Sequence, residues 1–263
     1  MQQRLDVYLV ELNLVKTRQK AQSLIKEGFV KVNGKVENKP SFKASEFDKI
    51  EITGEVCEFV SRGGLKLKKA IEVFKINVKD KVCLDVGAST GGFTDCLLQN
   101  GASFVYALDV GHDQLDETLK SDSRVKNLEG INIRDVSPEF FDKPITFAVC
   151  DVSFISLKLV LLHIKRLICE NSSAVVLVKP QFEAGKENIK KGGIVKDKKA
   201  HIRVLEDIIS FCYQCNFQLN GIDFSPIKGG DGNVEYLLYL SACEEMNVKT
   251  FDIKKIVENA FSQ

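Results

Sequence analysis

Short, unbroken apolar runs recur between residues 82 and 178, and amphipathic stretches separate them. VCLDV (82–86), FVYALDV (104–110), TFAVCDV (146–152) and AVVLVKP (174–180) are continuous rather than alternating, the signature of strands covered on both faces. Helices are predicted after Gly92, after Gln114 and from Leu157 to Ile168, with RVKNLEG (124–130) as a further strand. Strand alternating with helix means a parallel sheet with helices on both faces. Near the end the pattern changes, because FQLNGIDFSPIKG (217–229) runs into NVEYLLYL (233–240) with no helix between. The last strand is therefore expected to run antiparallel. The fold class read from the pattern is α/β, a doubly wound and mostly parallel sheet.

Residues 1–57 have a different rhythm. Leu5, Leu9 and Leu12 fall at helical spacing, Asn13 marks a turn, and Ala21, Leu24 and Ile25 give a second helix its inward face. Gly28 ends that helix, and FVKVNGKV (29–36) sets an Asn33-Gly34 turn between two short strands, with a further strand near Lys49 to Ile52. This predicts a small α+β domain. Residues 58–64, EFVSRGG, read as a linker whose two glycines absorb a change of direction, and the larger domain is expected over 65–263.

Composition narrows the class. With 263 residues, 44% of them hydrophobic, the chain can bury an ordinary core in one large and one small domain. No apolar run approaches the roughly 20 residues that span a bilayer, and MQQRLDVYLV lacks the features of a secretory signal. A cytoplasmic protein without a membrane span is expected. Of eight cysteines, Cys212 and Cys215 form the one close pair, but Cys212 continues the helical stripe of Ile202, Leu205 and Ile208. With no further ligands to complete a site, core packing is expected there and no metal. Oligomeric state has no signature in the sequence.

Net charge is only +1, yet residues 16–43 carry eight basic residues against two acidic ones. Lys16, Arg18 and Lys20 bracket the start of the second helix, Lys26 lies along it, Lys31 leads into the hairpin, and Arg4 and Arg62 extend the set. Contact with RNA phosphates is the natural use of such a face, with a solvated basic surface as the alternative.

The chemistry concentrates in LDVGASTGGF (84–93), where Gly87, Ala88, Gly91 and Gly92 let backbone approach a ligand before a helix begins. Its G-x-x-x-G-G spacing differs from the G-x-G-x-x-G of dinucleotide binders, which argues for a cofactor without a pyrophosphate and against an NAD-dependent oxidoreductase. Asp85 ends the first strand. Asp109 ends the second, where an acid suits ribose hydroxyls and the alternative is a turn residue before Gly111. Ser89 and Thr90 suit a cofactor's carboxylate or amino group. Elsewhere, Glu235 interrupts an apolar strand, where a charge is costly unless paired, and Lys179 precedes Pro180, which holds it extended.

SRGGLKL (61–67), LDVGASTGGF (84–93), CDVSFIS (150–156), KPQFE (179–183) and GNVEYLLY (232–239) occur in one order. In these motifs the chain resembles the hemolysin TlyA family of FtsJ-type ribosomal RNA 2′-O-methyltransferases, and residues 1–57 resemble the RNA-binding module of the ribosomal protein S-four type. The resemblance implies S-adenosylmethionine as cofactor, ribosomal RNA or a ribosomal subunit as partner, and a cytidine of the large subunit as target, the last drawn from the short N-terminus. The family's Lys-Asp-Lys-Glu tetrad falls on Lys66, Asp151, Lys179 and Glu235. The implied cofactor residues are Asp85, Gly87, Ser89, Thr90, Gly91, Gly92, Phe93 and Asp109, with Asn132 near adenine where many relatives carry an acid.

A ribose 2′-hydroxyl is a poor nucleophile, and a lysine takes its proton only as the neutral amine. Desolvation at a strand end, with Lys66 as a second cation, is expected to favour that form of Lys179. The structural alternatives are a salt bridge at Glu235 and a solvated helix face for Lys66, Lys68 and Lys69. The loop from Gln181 to Lys199, with three glycines and six lysines, reads as a mobile basic flap that closes on RNA. Two rival functions remain: a non-catalytic RNA-binding protein, which requires loss of the tetrad, and a membrane-active hemolysin, which requires a spanning or strongly amphipathic segment.

Overall fold

The computed structural model describes residues 2–15, 18–26, 28–53, 58–190, 192–230, 232–243 and 247–262, apart from the side chains of residues 19, 23, 26 and 186. They form two compact units, Met1–Ser61 and Arg62–Gln263.

The first unit runs β1 (Gln3–Arg4), α1 (Leu5–Glu11), α2 (Arg18–Lys26), β2 (Val30–Val32), β3 (Lys35–Val36), β4 (Lys43–Ala44) and β5 (Ile50–Ile52). β2 lies between β3 and β5 and is antiparallel to both. Asn33 and Gly34 both take left-handed backbone, with φ of 53° and 79°, as the two-residue hairpin turn demands. The spacing of Leu5, Leu9, Ala21, Leu24 and Ile25 brings them into one core with Val30, Val32 and Ala44. Asp6, next to Leu5 on α1, is as fully buried as they are.

The second unit contains α3 (Gly63–Phe74), β6 (Val82–Val86), α4 (Gly92–Gln99), β7 (Phe104–Asp109), α5 (Glu117–Lys120), β8 (Val125–Glu129), β9 (Ile145–Cys150), α6 (Leu157–Leu167), β10 (Ile168–Val178), α7 (Pro180–Glu183), α8 (Lys198–Gln214), β11 (Phe217–Phe224), β12 (Tyr236–Ala242) and α9 (Ile253–Phe261). Seven strands make one sheet in the order β11-β12-β10-β9-β6-β7-β8. β6 to β10 pair in parallel, whereas β12 is antiparallel to both β10 and β11, so the expected antiparallel strand is wedged inside the edge rather than added outside it. The fold is the doubly wound, mostly parallel sheet expected, preceded by a small α+β unit.

Two local readings are corrected. Gly63 and Gly64, read as linker, are the first residues of α3. The helix expected after Gln114 shrinks to the single turn of α5, begun by the Asp116 side chain accepting from the Thr118 amide.

This topology places the site. β6 has β9 on one side and β7 on the other, so chain crossovers leave it in opposite directions and open a crevice at its carboxyl end. In the β10–β12 pairing Val178 faces Tyr236, which sets the start of β12 beside the end of β10. Phe147 on β9 and Tyr236 on β12 are both fully buried. Truncating such an aromatic costs about 3–5 kcal/mol.

Candidate active site

Asp85 stands at the end of β6, fully buried. One carboxylate oxygen accepts the Thr94 hydroxyl at 2.7 Å, and the other has no hydrogen-bond partner among the described residues. Burial pushes the carboxyl up to about 7, against the pull of the Thr94 bond. Two residues on, Gly87 has φ 82°, and a Cβ there would lie 2.7 Å from the Asp151 carbonyl oxygen, so only glycine lets the two strand ends approach this closely. The Gly87 and Ala88 amides both reach the Leu108 carbonyl, at 2.8 and 3.1 Å, tying the turn to β7. Phe93 is buried in α4.

Asp109 ends β7 and accepts the Ser89 amide and the Gly111 amide, each at 2.7 Å. It organises both turns that flank the crevice. Ser89 has φ 48° and its hydroxyl reaches the Gln114 side-chain oxygen at 3.1 Å, while Asp116 takes the Thr90 carbonyl through its amide at 3.2 Å. Glu129, at the end of β8, accepts the Gln114 and Leu115 amides at 2.6 and 2.8 Å. Burial works against its charge, but the Asn127 side chain and these two amides outweigh burial and hold it down at about 2. Three acids from adjacent strands thus line the strand ends. Asn132 uses its side-chain oxygen to cap a short helical turn through the Arg134 amide, so the adenine contact expected of it has only the amide nitrogen to offer.

The four charged residues picked from the sequence come together across the same edge. Lys66 projects from α3, Asp151 follows β9, Lys179 follows β10 and Glu235 precedes β12. Lys66 Nζ lies 2.7 Å from Glu235 Oε2 and 3.0 Å from Asp151 Oδ2, and Lys179 Nζ lies 2.6 Å from Asp151 Oδ1. The result is an alternating row, Glu235, Lys66, Asp151, Lys179. Lys66 and Lys179 are each 8% exposed and Glu235 2%, so none of these charges is solvated freely. Burial disfavours the Lys66 ammonium, yet Asp151 and Glu235 more than compensate and raise its pKa. Burial likewise resists the Asp151 charge, and Lys66 and Lys179 overcome it and hold the carboxyl below its ordinary value.

Each lysine binds a different Asp151 oxygen, so a carboxylate stands between the two ammonium groups. The solvated helix face considered for Lys66 is set aside, since Lys66 points inward. Sequence reasoning missed Ser153, whose hydroxyl accepts from Lys179 Nζ at 2.9 Å. It missed Thr94 and Glu129 as well.

In the first unit, Arg4 and Arg18 share Asp6. Arg4 Nε is 2.9 Å from Asp6 Oδ1, and Arg18 Nε is 2.9 Å from Asp6 Oδ2, which Gln22 also reaches at 2.7 Å. Burial opposes the Asp6 charge, and these donors hold it far below the usual carboxylate range. Lys20 Nζ reaches the Phe59 and Val60 carbonyls at 3.2 and 3.4 Å. Three residues expected to meet phosphate therefore have intramolecular partners too. Lys31 lies on β2 opposite Glu51, and Arg62 caps α3 with its backbone. Lys16 and the Lys26 side chain lie outside the described residues.

The segment from Gln181 to Lys199, expected to be a mobile basic flap, carries local structure among its described residues. It holds α7, a turn over Lys186–Asn188, and a Lys190–Ile194 bridge, and Val195 within it is buried. Cys212, on the inward face of α8, packs in the core as expected. Among the described residues no helix is long and apolar enough to cross a membrane.

The FtsJ-like methyltransferase family matches residues 59–242, and the S4 domain matches residues 3–50. YqxC of Bacillus subtilis is 46% identical over 263 residues, covering 98% of this chain and 94% of that protein. The 16S/23S rRNA (cytidine-2′-O)-methyltransferase TlyA of Mycobacterium tuberculosis is 38% identical over 261 residues, covering 99% and 97%. Among solved structures, a hemolysin-named protein of Streptococcus thermophilus superposes with a TM-score of 0.80 at 42% identity, covering 99% of this chain and 96% of its own.

Proposed function

Because the chain belongs to the FtsJ-like methyltransferase family, in the branch that joins that domain to an S4 domain and includes TlyA, we propose that it methylates the 2′-hydroxyl of a cytidine in ribosomal RNA, with S-adenosylmethionine as donor and the large subunit as first target. In this reading residues 1–57 dock RNA, the chain connects through about residues 58–61, and the unit from Arg62 onward catalyses. The protein then works in the cytoplasm, where ribosomes are.

S-adenosylmethionine supplies a methyl group on a positively charged sulfur. The residues at the strand ends fit it, since Asp85, Asp109 and Glu129 make an acidic crevice for a cationic, ribose-bearing ligand, and Asp85 keeps a buried oxygen without a partner. Asp85, Gly87, Ser89, Thr90, Gly91, Gly92, Phe93 and Asp109 would hold it, and the glycines allow close backbone approach.

The observation that carries the reading is the alternating row of charges and the place of Lys179 at its end. Lys66, clasped by two acids, is locked as a cation and fixes Asp151. Lys179 meets one acid and one hydroxyl, which leaves its third nitrogen valence for the ribose. As the neutral amine it takes the 2′-hydroxyl proton while the oxygen–methyl bond forms and the sulfur–methyl bond breaks. Asp151 and Ser153 then hold the new ammonium in place.

The test is methyl transfer to purified 16S and 23S rRNA, with the product mapped at nucleotide resolution. One 2′-O-methylated cytidine in 23S rRNA is expected. Methylation of a base, or none in either rRNA, overturns the reading.

A further inference from the structure

Two fully buried polar side chains outside the charge row, Asn233 and His201, converge on one stretch of backbone. The Asn233 side-chain oxygen accepts the Val195 amide at 3.0 Å, and its nitrogen donates to the Gly193 carbonyl at 2.9 Å. His201, in the first turn of α8, has Nε2 2.9 Å from the Val195 carbonyl and Nδ1 2.8 Å from the Tyr236 hydroxyl. A carbonyl can only accept, so Nε2 carries the proton and Nδ1 accepts from Tyr236. Both polar groups of the Val195 peptide are thus held by side chains. Just before Val195 the backbone folds back, with the Lys190 amide on the Ile194 carbonyl and the Gly193 amide on the Lys190 carbonyl, both at 3.0 Å.

Asn233 lies two residues before Glu235, and Tyr236 lies one after it. The strand that presents Glu235 therefore also fixes Val195. Exposed on the fixed segment are Lys190, Lys196, Lys198 and Lys199, with the acids Glu187 and Asp197. Asp197 is occupied in capping α8 through the Lys199 amide at 2.9 Å.

We propose that Asn233 and His201 latch the Gly193–Val195 backbone to the start of β12, so that the lysine-bearing segment is a preset rail for RNA phosphates rather than a flap ordered by RNA. The RNA part rests on the proposed function. Preordering means the entropy of fixing the segment is spent in folding and not at binding, which raises affinity without touching the chemical step. Asn233 and His201 are positioning residues.

The test begins with amide hydrogen exchange of the full-length wild-type protein without RNA. The Val195 amide should exchange at least about 100-fold more slowly than an open loop amide, because a buried, bonded amide exchanges only on local opening. In Asn233→Ala that protection should vanish. The apparent affinity for 23S rRNA should fall about tenfold, the worth of one good hydrogen bond, with the single-turnover rate at saturating RNA within about twofold of wild type. Rapid Val195 exchange that becomes slow when RNA is added would overturn the proposal in favour of a closing flap. So would a variant whose RNA affinity is normal while its saturating rate collapses, because Asn233 would then serve only Glu235. Where Asn233→Ala does not fold, the wild-type exchange decides. A wild-type protein that is protected at Val195 but binds no rRNA removes the RNA role and the functional reading together, and leaves the latch itself standing.

Discussion

Two carboxylates in this molecule are each clasped by a pair of cations, and the clasps do different things. In the N-terminal unit Asp6, fully buried, bridges Arg4 and Arg18, whose side chains are 39% and 56% exposed. In the catalytic unit Asp151 bridges Lys66 and Lys179, whose side chains are only 10% and 9% exposed. A guanidinium keeps its proton throughout the physiological range and offers a rigid fork, so the first clasp holds α1 to α2 as a permanent ion pair. An ammonium can surrender a proton, and the second clasp keeps its lysines from water. Under the proposed function, similar charge patterns serve scaffolding in one place and proton transfer in the other, and the cation chosen separates them.

The sharpest way to break that contrast is to give the catalytic clasp the other cation. Lys179→Arg should fold and bind cofactor, yet lose methyl transfer by about 100-fold to 10,000-fold in single-turnover assays, the range for a removed acid–base group. Near-normal turnover would mean that Lys179 only positions the ribose.

Asp85 supplies the control, a buried acid with no cation at all. Its folded pKa, about 7, is raised above the unfolded value, so the stability it contributes is present in acid and is lost as pH climbs through 7. Urea unfolding of wild type should show about 2–3 kcal/mol less stability at pH 8 than at pH 5 from this group. Asp85→Asn should flatten that part of the profile. A profile unchanged by the substitution would show that Asp85 finds a partner in solution.

Asp6 should behave with the opposite sign. Its folded pKa is lowered, so its contribution is present above the ordinary carboxylate range and disappears as pH falls through it and below. Asp6→Ala should cost the N-terminal unit about 1–2 kcal/mol, the loss of its bonds to donors that can turn to solvent. RNA affinity should hold or rise, because two arginines are released. If RNA binding falls with stability intact, the clasp presents the arginines rather than sequestering them.

The smallest expected effect is Arg18→Ala, a loss of about 1 kcal/mol in RNA affinity with the salt slope reduced by about one. Filter binding over a salt series measures both, and an unchanged slope removes Arg18 from the RNA face.

Glu235 was legible because a charge interrupts an apolar strand and Lys179 because Pro180 holds it extended, whereas Lys66 and Asp151 were singled out by the family resemblance alone. The glycine turn was legible because Gly87 answers to a close approach of backbone. Partners set by register were not. Ser153 reads as an ordinary loop hydroxyl until β9 and β10 are aligned, and Asn233 reads as a turn residue until the Val195 peptide arrives beside it. Nothing local to Asp6 says that Arg18, from the next helix, will pair with it. The bonds of the Gln181–Lys199 segment were hidden for the same reason, since glycines and lysines signal solvent while the partners of Val195 come from His201 and Asn233.

The wedged position of β12 gives the sheet an order of assembly. β11 hydrogen-bonds only to β12 in this sheet, and β12 must enter between β11 and β10. During synthesis from the N-terminus, the glycine turn and the Lys66–Asp151–Lys179 part of the row can form before residue 235 has been made. Lys66 then has one acid rather than two, and the Val195 peptide has no Asn233. The last long-range pairing is also the one that completes the chemistry, so a nascent or clipped chain lacking this strand carries a crevice for the donor without a finished catalyst, and competence to modify RNA arrives only with the closure of the edge.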